Sequence, residues 1–156
     1  MQDDLEQDVA RLWPMLLAII SDAEKRLAAH LATHNLTPPQ FFVLKTLWEQ
    51  GGRYPIGHIA RDHHLTNATM TGLIKRLSQM DPPLVIRERS TIDARSVDVV
   101  LTPDGENRYQ AVQEDILAQV RFVLAMLDPA EREDVIEKIS RYVTLIIHLF
   151  PPTGEH

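Results

Sequence analysis

Apolar residues in the first part of the chain recur at alternating steps of four and three: Val9, Trp13, Leu16, Ile20, Ala23 and Leu27. That spacing is the seam of a coiled coil or helical bundle, and Leu12, Leu17 and Leu31 widen the stripe. It predicts one long helix from the N-terminus to about His34, which Pro14 should bend or interrupt near its start. Asn35-Leu36-Thr37 breaks the pattern. In Thr37-Pro38-Pro39-Gln40 a threonine cap, a proline at the first helical position and a glutamine three residues on mark a new helix start. Phe41, Leu44, Leu47 and Trp48 continue it until Gly51-Gly52.

Shorter elements follow. Tyr54-Pro55 leads into a brief helix with Ile56, Ile59 and Ala60. Thr66 caps another, in which Met70, Leu73, Ile74 and Leu77 form a buried stripe, and Asp81-Pro82-Pro83 ends it. Val85–Ser90 and Ser96–Leu101 flank Thr91-Ile92-Asp93-Ala94-Arg95. Val97, Val99 and Leu101 alternate with Ser96, Asp98 and Val100, so the segment reads as a β-hairpin. Thr102-Pro103 opens a long helix to about Met126, with Val112, Leu117, Val120, Val123, Leu124 and Leu127 as its apolar positions. Asp128-Pro129-Ala130-Glu131 is a second capping box, before a helix carrying Val135, Ile139, Tyr142, Val143, Ile146 and Leu149 and closed by Pro151-Pro152.

The organisation expected is therefore an N-terminal helix (1–35), a lobe of short helices and hairpin (36–102), and C-terminal helices (103–156), all in one unit. The fold class is mainly α with a small β-hairpin. Long amphipathic helices at both ends of 156 residues carry more apolar surface than one such unit easily buries, and Val143–Phe150 is apolar on nearly every side. A dimer with both termini packed against their copies would cover it; a monomeric bundle is the alternative.

Composition narrows the chemistry. No apolar run exceeds six residues, where a membrane-spanning helix needs about 20. The acidic start Met1-Gln2-Asp3-Asp4 is unlike a secretory leader, so a cytoplasmic location is expected. There is no cysteine, which excludes disulfides, thiolate metal sites and thiol redox switches. The net charge of −6 is unevenly distributed. Arg53 to Arg95 holds seven basic residues against four acidic ones, a local +3 set in an acidic chain. Such asymmetry points to a basic working face.

A short helix, a turn, a second helix and then a hairpin with a charged tip make a winged helix-turn-helix. Apart from the buried stripe, the second helix offers Asn67, Ala68, Thr69, Thr71, Gly72, Lys75 and Arg76, with Thr66 at its start. From Thr66 to Gln79 there is no acidic residue. Threonine and asparagine can bond base edges or phosphates, small residues admit thymine methyls, and lysine and arginine neutralise phosphates. Arg87 and Arg89 on the first strand of the wing and Arg95 at its tip add cations, a tip arginine being suited to a narrow minor groove.

Leu36-Thr37, Gln40-Phe41, Leu44, Ile59-Ala60, Ala68-Thr69-Met70-Thr71, Leu73-Ile74, Arg76-Leu77, Val85 and Arg87 form an ordered set. With Asp93-Ala94-Arg95, Val97, Leu101-Thr102 and Gly105, it resembles the multiple-antibiotic-resistance regulator (MarR) family of winged-helix transcription factors. The resemblance implies a homodimer on a pseudo-palindromic double-stranded operator, one recognition helix per major-groove half-site, with wings reaching the minor groove. A repressor released by a small aromatic or amphipathic effector is the expected function. The alternative is a winged-helix interaction or dimer-scaffold module without specific DNA binding. Gly72 stands where many members carry a basic or larger residue, Asp81-Pro82-Pro83 replaces the usual glycine turn, and Ala94 replaces a frequent basic residue.

Other chemistry is sparse. Trp13, Phe41 and Trp48, with Phe42, are candidates to line an effector pocket between the first two helices and the lobe, and His30 is placed with them as a ligand-binding residue. Aromatics at helical spacing also serve simply as core. His30 and His34 stand one turn apart, enough for two imidazoles on a metal, but without evident third and fourth ligands no metal site is expected. No catalytic triad, phosphate loop or dinucleotide signature occurs. Neither enzymatic activity nor a cofactor is expected.

Overall fold

The computed structural model describes residues 2–90 and 96–149. The expected wing tip, with Arg95, and the closing Pro151-Pro152 lie outside them, as do the side chains of Ile146 and Leu149. The elements run α1 (Gln2–Thr33), α2 (Pro38–Glu49), β1 (Arg53–Pro55), α3 (Ile56–Asp62), α4 (Asn67–Ser78), β2 (Val85–Arg89), β3 (Val97–Leu101), α5 (Pro103–Ala125) and α6 (Pro129–Leu149). The chain divides into two compact units, Met1–Gln113 and Glu114–His156.

In the first unit, α1 continues through Pro14 rather than stopping there. An interior proline removes one backbone hydrogen bond and crowds one turn, at a cost of about 3 kcal/mol. The 32-residue helix keeps its other turns on both sides. It closes with Asn35 at φ 62°, while the Leu36 N–H reaches back to the Leu31 carbonyl at 3.0 Å. Asparagine tolerates that left-handed conformation better than most residues. At the start of α2, Gln40 Oε1 accepts from the Thr37 N–H at 2.9 Å. Gly51 and Gly52 at φ 74° and 87° turn the chain out of α2, as their sequence position predicts.

The core of the unit is built from Leu31, Val43, Leu44, Leu47, Ile59, Met70, Ile74, Leu77, Leu84, Val85, Val99 and Val112, all fully buried. Leu73, expected in the same stripe, is half-buried. The hairpin forms as predicted, with Arg89 opposite Val97 and Val85 opposite Leu101. A third strand was not expected. β1 pairs antiparallel with β3, so the sheet order is β1-β3-β2 and β3 is central. Three residues are too few to show a strand period.

Helix α5 starts where Thr102 hydroxyl accepts from the Gly105 N–H at 3.0 Å and donates to the Pro83 carbonyl at 2.7 Å. This draws the helix onto Leu84. A β-carbon at Gly105 would lie 2.0 Å from the Leu84 carbonyl oxygen and 2.9 Å from Leu101 Cδ1.

In the second unit, Asp128 Oδ1 accepts from the N–H groups of Ala130 and Glu131, and Glu131 Oε2 accepts from the Asp128 N–H. The predicted capping box is thus complete. Leu117, Val120, Val123, Ile139, Tyr142 and Val143 are all exposed, as are Val9, Trp13 and Ile20 on α1 of the first unit.

Gly105→Ala should destabilise the protein by about 1–3 kcal/mol, the usual cost of forcing atoms into packed structure, because the obstacle is backbone. Urea denaturation measures it, and a midpoint equal to wild type would contradict the close approach.

Candidate nucleic-acid interface

Thr66 Oγ1 accepts from the Thr69 N–H at 3.2 Å and caps α4, and the two threonine hydroxyls bond to each other at 2.9 Å. Such a cap contributes about 1 kcal/mol. Burial of Met70, Ile74 and Leu77 fixes the rotation of the helix. The opposite side is then set by geometry: Asn67, Thr71 and Lys75 form one row four residues apart, and Ala68, Gly72 and Arg76 the next. Thr66, Asn67, Ala68, Thr69, Thr71, Lys75 and Arg76 are all exposed. A methyl at Gly72 would meet nothing within 4 Å, so packing in this chain does not require the glycine.

The wing sheet sorts its charges by face. Alternation along β2 puts Val85, Arg87 and Arg89 on one side and Ile86 and Glu88 on the other. Val85 is buried and α4 packs against β2, so exposed Arg87 and Arg89 prolong the helix-facing side toward the tip. Among the described residues Lys75, Arg76, Arg87 and Arg89 form no ion pair. Arg53 differs from them. On the other face it pairs with Glu88, and its Nη1 donates to Asp98 Oδ2 at 3.2 Å. The hydrogen bonds to Glu88 and then Asp98 hold its guanidinium pKa above the ordinary value. The sequence count of basic residues included Arg53 and could not show that it is already matched.

Behind this face His63, the C-cap of α3, bonds through Nε2 to Thr46 Oγ1 at 2.9 Å and ties α3 to α2. Next to it His64 closes the helix at φ 52°. Burial lowers the His63 pKa; Lys45 and His64 act in the same direction and Asp62 opposes them.

The candidate effector residues are distributed unequally. Phe41 is buried and stacks on Tyr109 at 5.7 Å, and Trp48 lies 5.7 Å from the same ring. Tyr109 was absent from the sequence-based set. Burial raises its pKa. Trp48 also borders a hollow of about 470 Å³ with Gly52, Arg53, Val100, Leu101 and Glu106. His30 is half-buried, its ring centroid 5.5 Å from that of His34. Trp13 is exposed. It stands 17 residues before His30, roughly 26 Å along the helix at 1.5 Å per residue, so this chain does not bring Trp13 and His30 together.

A two-helix unit with an exposed polar and basic face, followed by an antiparallel wing, is a winged helix-turn-helix. A model of the MarR family matches residues 36–97. The HTH-type transcriptional regulator MgrA of Staphylococcus aureus is 30% identical over 124 residues, covering 78% of this chain and 77% of that protein. The chain belongs to the MarR family, and it is a DNA-binding transcriptional regulator rather than an enzyme. Among solved structures, a MarR family protein from Bacillus stearothermophilus superposes with TM-score 0.76 at 27% identity, over 92% of this chain and 97% of that one. The F27L mutant of S. aureus MepR, solved bound to an oligodeoxyribonucleotide, has TM-score 0.64 at 20% identity, over 86% and 97%; that likeness concerns the fold. No helix among the described residues is long and apolar enough to cross a membrane.

The His63 shift has a testable sign. The folded protein keeps this imidazole neutral below its ordinary value of 6.5, whereas the unfolded chain protonates there, so stability is lost as pH falls from that value toward the folded pKa. His63→Gln should flatten the decline in melting temperature between about pH 7.5 and pH 5.5. Parallel curves for the two proteins would refute the assignment.

Proposed function

We propose that the protein is a homodimeric repressor that occupies a pseudo-palindromic operator and leaves it when a small aromatic or amphipathic effector binds. The observation carrying this reading is the exposed, acid-free face of α4 beside the helix-facing arginines of β2. Thr66, Asn67, Ala68, Thr69 and Thr71 suit base edges and phosphates, and Lys75, Arg76, Arg87 and Arg89 suit phosphates. Arg95, beyond the described residues, is assigned to the minor groove. The oligodeoxyribonucleotide bound to MepR supports the use of this fold on DNA.

The dimer reading rests on apolar surface. From Val9 to Ile20 in α1, and from Leu117 to Val143 in α5 and α6, large apolar side chains stand exposed, more than isolated surface residues explain. Segments 1–35 and 103–156 are therefore assigned to dimerisation. The aromatic set Phe41, Tyr109 and Trp48 supports an aromatic effector near Trp48.

Selection of bound fragments from the source genome, by incubation with purified protein, should enrich inverted-repeat sites; recovery of unrelated fragments would favour a scaffold role. On an enriched site, Lys75→Ala should weaken specific and non-specific binding about equally and reduce the salt slope by roughly one unit. An unchanged slope would remove Lys75 from the phosphate contacts.

Removing Tyr142–His156 should abolish both the dimer and operator binding, because the last apolar helix needs a partner to be buried. Sedimentation and gel-shift assays read the two losses. A folded, operator-binding monomer would overturn the dimer assignment.

A further inference from the structure

We propose that Arg53 is a positioning residue for DNA recognition: by neutralising Asp98 and Glu88 it holds the wing strands where Arg87 and Arg89 stand beside α4. This rests on the reading of the wing as a DNA-contacting element. Arg53 itself lies on the other face of the sheet, paired with both carboxylates.

Three features make the clamp necessary. Glu88 and Asp98 are direct cross-strand partners of β2 and β3, and like charges in that position push strands apart. Asp98 is only 4% exposed, and its Oδ1 has no hydrogen-bond partner among the described residues. Arg53 is therefore its counter-charge, and a buried carboxylate stripped of its counter-charge is strongly unfavourable. Third, β1 is short, pairing only Arg53–Pro55 with β3, and proline cannot donate to a ladder. The Arg53 side chain thus ties to β2 and β3 the strand that leads directly into α3, and α3 packs on α4. One guanidinium connects wing and helix-turn-helix.

The test compares specific and non-specific DNA affinity for full-length Arg53→Gln, Asp98→Asn and the double variant on one operator over a salt series. Arg53→Gln should lose roughly tenfold or more in specific affinity, per active molecule, while non-specific affinity and salt slope stay at wild-type values. Adding Asp98→Asn should restore specific binding to within about threefold, the signature of a coupled pair. Should Arg53→Gln alone not fold, the comparison of the double variant with Asp98→Asn decides, and a tenfold difference there overturns the proposal.

Other outcomes also overturn it. A slope reduced by roughly one unit without rescue would make Arg53 a phosphate contact. Equal loss of specific and non-specific affinity would mean general destabilisation, and unchanged affinity would mean no role. Arg87→Ala/Arg89→Ala serves as the control: wild-type binding by that variant defeats the wing reading itself, whereas its weakening beside an unaffected Arg53→Gln defeats only the clamp.

Discussion

The face of this protein proposed to meet DNA depends on burying one side of a single short helix. A helix of twelve residues such as α4 is marginal in water on its own. What holds it is the removal of Met70, Ile74 and Leu77 from solvent against its neighbours, at about 1.5–3 kcal/mol for each large apolar side chain. That burial leaves the helix no freedom to rotate. The face carrying Asn67, Thr71, Lys75 and Arg76 is exposed because the opposite face is not. Since α3 and β2 both pack on α4, the same contacts locate the turn and the root of the wing.

An acidic protein approaches polyanionic DNA only if its charges are sorted in space. Outside the lobe several cations are matched within their own helices, as in the Arg26–Asp22, Arg121–Glu114 and Lys138–Asp134 pairs. Exposed pairs of this type add little stability. They do, however, neutralise locally. The cations of α4 and β2 stay unpaired among the described residues, and Glu88 and Asp98 of the wing strands are turned to the other face and matched by Arg53. Local sorting, rather than the total of −6, sets the field that DNA would meet.

Much of this was legible along the chain. Caps at Thr37, Thr66, Thr102 and Asp128, the glycines after α2 and the alternation of Val97, Val99 and Leu101 are local signals, and the elements begin and end close to them. Pro14 does not interrupt α1, since one proline disturbs a turn and leaves the rest of a 32-residue helix in place. The lobe face was legible too, because helical periodicity names the exposed positions once the apolar stripe is known. The candidate effector set was less so. Phe41 and Trp48 meet through Tyr109, more than sixty positions away, while Trp13 stays apart from His30.

The sequence by itself determined the helices, their caps, the hairpin, and which residues of α4 face outward, because each of these follows from backbone geometry and periodicity within a few neighbours. Only the tertiary structure decided that Arg53–Pro55 becomes a third strand and that Gly105 must lie against Leu84. It alone buried Asp98 under an arginine 45 positions earlier. An aspartate among the valines of β3 was a visible oddity, but its counter-charge lies on another strand. Pairings of that kind depend on strand register and packing, and register is settled only when the non-local surfaces meet.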